Sequence, residues 1–153
     1  MTQRKSPPKR KSGASIKTTM SLNELRDEAL RIAVEHGFKD ASVPEDIALM
    51  HSELSEALEE HRNGGVPHET WYEFRLAFGA KMTVNSRDVS NIPEGAELFG
   101  KLGKPIGMPS EMADVIIRIL HFAGKHGIDL DKAVTEKMAY NEYRPYRHGG
   151  KKI

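Results

Sequence analysis

The chain has 153 residues, 38% hydrophobic and 29% charged, which suits one soluble domain and leaves no room for two catalytic ones. No cysteine occurs, so disulfides, thiolate metal sites and cysteine nucleophiles are excluded, and no apolar run reaches the roughly 18 residues of a membrane span. The net charge of +1 hides an asymmetry: residues 1–19 carry six basic side chains and no acid, leaving 17 basic against 22 acidic groups, a charge of −5, in the remainder. An acidic body repels anionic ligands unless a cation or a local basic patch intervenes.

Residues 1–19 are Lys, Arg, Ser and Pro with almost no apolar side chain, and are expected to form a disordered basic tail. Contact with nucleic acid is one reading of that run; a solvated tail is the blander and favoured one. With no apolar segment following it, the tail is not a secretory signal, and a cytoplasmic setting is the default expectation. The domain proper is placed at 20–153. Ser21 followed by Glu24 is a capping box, and Leu25, Ala29, Ile32 and Ala33 recur at helical spacing, which predicts a first helix over about 22–36. Ser42 with Glu45 repeats the box, Pro44 suits a first turn, and the stripe Ile47, Met50, Leu54, Ala57, Leu58 predicts a second helix over about 43–62.

Residues 64–107 read as a long insertion rich in Gly, Pro, Asn and Ser, with one short helix at His68 to Phe78 and no clear strand. Pro109-Ser110 opens a third helix, apolar around more than half its circumference, which must be central. Asp129 caps a fourth over about 130–143, ended by Pro145. The expected fold class is all-α: a small four-helix bundle with a long insertion between helices two and three. Four short helices leave much apolar surface, so an oligomer is expected.

Glu53 and Glu56 stand three apart on helix two, and Glu111 and Asp114 repeat that spacing on helix three. Two such pairs on packed helices gather four carboxylates, and like charges that close bind cations or take up protons. Oxygen ligands favour Mg2+, with Mn2+ possible. A solvated acidic face is the competing reading; Asp114, a poor helix former inside the most apolar segment of the chain, argues against it. On helix four the stripe begun by Leu130, Ala133 and Val134 continues through Lys137, Asn141 and Arg144, and so turns polar where a core stripe would stay apolar. Arg147 and His148 add cationic capacity on a Gly-containing end, and the set reads as an anion site.

Glu53-x-x-Glu56 with Glu111-x-x-Asp114, then Lys137-x-x-x-Asn141-x-x-Arg144 and the ending Arg144-Pro145-Tyr146-Arg147-His148-Gly149, resembles the MazG-like all-alpha NTP pyrophosphatase superfamily. The resemblance covers about residues 22–63 and 108–152. It implies a homodimer or homotetramer, Mg2+ held by the four acids, a nucleoside triphosphate hydrolysed to monophosphate and pyrophosphate, and phosphate contacts from helix four. One departure is the 54 residues between Glu56 and Glu111, far more than is usual in that superfamily.

Within the same fold, phosphoribosyl-ATP pyrophosphatase-like activity is the alternative. A di-iron bundle would need Glu-x-x-His pairs, and none of the seven histidines has Glu three residues before it. A non-enzymatic helical dimer with a nucleic-acid-binding tail leaves the polar stripe of helix four unexplained. Trp71, the only tryptophan, is the candidate for stacking on a base, against the plainer reading that it packs the insertion.

Overall fold

A computed structural model of the chain describes residues 19–38, 41–75, 80–87 and 103–145. The basic tail through residue 18, and the candidate ligands Arg147 and His148, lie outside the described residues. Those described form four helices and three short strands.

α1 (Leu22–Glu35) begins at the capping box read from the sequence: the Ser21 hydroxyl accepts from the Glu24 amide at 3.2 Å, and the Glu24 carboxylate accepts from the Ser21 amide at 2.8 Å. At the start of α2 (Val43–Arg62), Glu45 Oε2 accepts from both the amide and the hydroxyl of Ser42, each at 2.7 Å. α3 (Met108–Lys125) starts one residue before the expected proline, because Gly107 takes φ +95 and turns the chain straight into the helix. Asp129 caps α4 (Leu130–Glu142), its side chain accepting from the Lys132 amide at 3.1 Å.

Over its described residues, 68–75, the expected short helix at His68 to Phe78 is not formed, Phe78 lying outside the described residues, and the fold is not purely α. Trp71–Arg75 is a strand, β1, with β2 (Lys81–Asn85) and β3 (Lys104–Ile106) antiparallel on either side of it. Residues Trp-Tyr-Glu-Phe-Arg favour the pleat, since aromatic side chains pack well on a half-covered sheet. Period two puts Tyr72 and Phe74 on one face, opposite Val84 and Met82, and Phe74 is 2% exposed. Its ring closes on Gly103, where an added Cβ would meet Phe74 at 2.6 Å.

α3 is central, as its composition requires: α1 and α2 both pack on it. Val115, Leu120 and Ala123 of α3 and Ala57 of α2 are buried. α2 and α3 run antiparallel and are tied by two ion pairs. Lys125 Nζ donates to Asp46 Oδ2 and to the Ala41 carbonyl, both at 2.6 Å, and Arg118 pairs with Glu53. α1 crosses α3 at Gly124, where the absent Cβ leaves room for Leu30.

Two apolar stripes are left bare. Ile47, Leu54 and Leu58 on α2, and Met112, Ile116 and Ile119 on α3, are all exposed. A repeat of about 3.6 residues per turn brings both stripes to the same side of the antiparallel pair, the side opposite α1. α4 is barer still: only Leu130 and Asp131 are partly covered, and the rest of the helix is exposed. Its first turn is joined to that of α1 by reciprocal caps. Asp131 accepts from the amides of Leu22 and Asn23 at 2.9 and 3.3 Å, while Asn23 accepts from the Leu130 amide at 2.9 Å and donates to Asp129 at 2.8 Å. Among the described residues, no helix is long and apolar enough to cross a membrane.

Candidate metal centre

Three of the four predicted acids meet. Glu53 on α2, and Glu111 and Asp114 on the first two turns of α3, each offer a carboxylate oxygen, and these atoms lie within 4.8 Å of one another. Glu53 is 8% exposed, whereas Glu111 and Asp114 are half-buried. Glu56 stands apart: it is exposed, and the Ser52 hydroxyl donates to its Oε1 at 3.4 Å.

The electrostatics follow from this crowding. Burial, and then the charges of Glu56, Asp114 and Glu53, hold the Glu111 carboxyl above its ordinary pKa. Burial raises that of Asp114 too, with Glu53 adding to the effect and Arg118 and Lys104 opposing it. A site of oxygen donors alone, whose ligands repel one another when ionised, fits a hard divalent cation such as Mg2+ or Mn2+.

Two cations near the acids were not singled out in the sequence. Arg118 Nε and Nη2 both reach Glu53 Oε1 at 2.7 Å, so the arginine engages one oxygen of the carboxylate. Arg118 sits one turn beyond Asp114, and a charge in so apolar a helix was the same signal that marked Asp114. Lys104 is contributed by β3, and its charge is felt at both Glu111 and Asp114. The insertion thus braces the site: β3 runs through Gly107 into α3, and the Ser110 hydroxyl donates to the Pro105 carbonyl at 3.0 Å.

A cavity of about 430 Å³ opens beside the acids, with Glu53, Asp114 and Arg118 in its wall. The rest of its lining is mainly apolar and comes from α1 and α3, including Leu25, Ala29, Ile32, Ile117 and Leu120. His121 also borders it. Burial pushes the pKa of that imidazole down, and its Nε2 is buried without a partner. Trp71 is not part of this wall; it lies at the corner where Gly107 turns into α3.

The stripe Lys137, Asn141, Arg144 does not face the interior of its own chain, contrary to the reading of an inward stripe that turns polar. All three are exposed, and no hydrogen bond or ion pair among the described residues joins them to the acids. Lys137 and Arg144 instead flank the Tyr140 ring, at 5.2 and 5.8 Å from its centroid. The cause is that α4 docks through its first turn only, so helical spacing continues a line for which this chain provides no opposing surface. Comparison of the chain with protein-family profiles, curated proteins and solved structures found no match.

Proposed function

We propose that this chain is a magnesium-dependent nucleotide pyrophosphatase, acting as a homo-oligomer, that hydrolyses a nucleoside triphosphate to the monophosphate and pyrophosphate. The observation that carries the reading is the meeting of Glu53, Glu111 and Asp114 across two helices, with a nucleoside-sized cavity against them. The order of acids and helix-four cations that resembles the MazG-like superfamily supports it.

Glu53, Glu111 and Asp114 would hold Mg2+ or Mn2+, which when bound supplies charge for the phosphate oxygens and lowers the pKa of a bound water. Arg118 occupies one oxygen of Glu53 and so fixes which way the carboxylate turns. Glu56, exposed and close enough for its charge to be felt at Glu111, is the candidate to orient the attacking water. The cavity takes the nucleoside, its apolar wall replacing water around the base. Trp71, at the corner between sheet and α3, is assigned to packing.

The test is a panel of ribo- and deoxyribonucleoside triphosphates with Mg2+, read for pyrophosphate against orthophosphate. Pyrophosphate and monophosphate in equal amounts are expected, with activity lost in chelator. Glu111→Gln lowers kcat/KM by at least about a hundredfold, equivalent to about 2.7 kcal/mol. Orthophosphate as the product, or turnover undiminished in chelator, rejects the assignment.

A further inference from the structure

We infer that Glu28, at the far end of the cavity from the metal centre, reads the base and selects guanine nucleotides. The reaction rests on the pyrophosphatase reading; the choice of base rests on the cavity.

Among the described residues, three carboxylates stand in the cavity wall. Glu53 and Asp114 belong to the metal centre, which leaves Glu28 of α1. The packing of α1 on α3 places it. A Cβ added to Gly124 would meet Leu30 Cβ at 2.9 Å and the Arg26 carbonyl oxygen at 3.4 Å, so Glu28, between those two residues, lies level with Gly124. Asp114 stands ten residues back along α3, roughly 15 Å away at about 1.5 Å per residue. A nucleotide stretched along the cavity, with its phosphates on a cation held by the acids, brings the outer edge of its base to Glu28. Ala29, Ile32 and Ile117 line the wall in between and give an apolar bed for the ring.

Glu28 is also held in place. Arg31 Nε donates to its Oε2 at 2.8 Å and Arg31 Nη2 to its Oε1, while Arg31 Nη1 is anchored on Glu35 Oε1 at 2.7 Å. An ion pair at this spacing is ordinary on a helix surface; this one borders a cavity, and its carboxylate is only 31% exposed. The hydrogen bonds from Arg31 keep the Glu28 carboxyl below its ordinary pKa, so the group stays ionised and can only accept. Each oxygen keeps a second lone pair once Arg31 is served. His36 and His121 border the cavity too, but a neutral imidazole both donates and accepts and so separates bases less sharply.

Two adjacent acceptors call for two adjacent donors. Guanine has them, N1–H beside the 2-amino group. Adenine and cytosine set a single amino group beside a ring acceptor, and uracil and thymine flank their N3–H with carbonyls that a carboxylate repels.

Inosine triphosphate, which differs from GTP only in lacking the 2-amino group, isolates the contact. With Mg2+, kcat/KM for GTP is expected to exceed that for inosine triphosphate, ATP, CTP and UTP by about tenfold or more, the loss typical of a missing hydrogen bond to a charged group. Glu28→Gln, which puts a donor where guanine needs an acceptor, is expected to bring GTP and inosine triphosphate to parity with helical circular dichroism unchanged. Equal kcat/KM for the two in the wild type, or discrimination kept in Glu28→Gln, overturns the role of Glu28 and leaves the pyrophosphatase reading standing. Calorimetric titration with the α,β-methylene analogues of GTP and inosine triphosphate in Mg2+ needs no turnover. Tighter binding of the guanine analogue, lost in Glu28→Gln, is the expected result; equal binding of the two, or binding of neither, overturns the proposal. A guanine preference that depends on Glu28 in a chain that hydrolyses no triphosphate supports the base contact and rejects the pyrophosphatase reading alone.

Discussion

Glu111 and Asp114 hold their charges against burial and against each other, so the metal-free chain is destabilised at the centre proposed for its chemistry. Both folded-state pKa values lie above the ordinary ones, meaning that the fold binds those protons more tightly than the unfolded chain does. The resulting stability is fully present below the ordinary carboxylate pKa values and is lost as pH rises through the raised ones. Glu111→Gln is therefore expected to raise the melting temperature in chelator at pH 7.5 and to change it much less at pH 4. Thermal denaturation at the two pH values checks this; an equal or opposite shift at pH 7.5 would count against the crowded-carboxylate account. Asp114 was legible in the sequence because a lone acid in an apolar helix needs a reason. Arg118 was equally out of place, but its partner Glu53 is 65 residues away, a separation that helical spacing does not bridge. Glu56 looked equivalent to Glu53 because they are three residues apart, yet three residues turn about 300°, which leaves Glu56 about 60° round the helix and in water.

The four helices were legible because their signals are local: a serine with a glutamate three residues on, an aspartate before an apolar run, a glycine after one. The sheet was not, because its evidence is shared among distant segments. β1 is five residues long and finds β3 only after an insertion of about thirty, so neither strand declares itself alone. Helix contacts also carry sign reversals that propensity misses. Alanine in place of an interior helical glycine ordinarily stabilises by about 0.5–1 kcal/mol. At Gly124 the new Cβ would lie 2.9 Å from Leu30 Cβ, an atom fixed to the backbone of α1. Gly124→Ala is expected to cost a net 1–3 kcal/mol, roughly the range for overpacking. Urea titration measures it, and a gain in stability would mean that α1 does not sit where Gly124 allows.

Five buried hydrophobic side chains among the described residues are a thin core for so many large apolar ones left outside. Ile116, 54% exposed, is the test of where the remainder goes. On a free surface, Ile116→Glu would shift stability by no more than about 0.5 kcal/mol; in an interface it buries an unpaired charge. The variant is expected to elute as a monomer by light scattering with unchanged helical circular dichroism, while the wild type elutes as a dimer or larger. A monomeric wild type would remove the oligomer from the proposal. The joint between α1 and α4 has a mechanical meaning at this scale. Asn23, Asp129 and Asp131 form the fulcrum of a lever whose arm, from Asp131 to Arg144, is about 20 Å at about 1.5 Å per residue. A tilt of about 10° there swings the far end of the helix, and the Arg144 guanidinium with it, by about 3.5 Å. Exchanging a cap hydrogen bond at Asn23 or Asp131 thus re-aims the whole of α4 from a place remote from Lys137 and Arg144, leaving the chemistry of both side chains intact and only their direction altered.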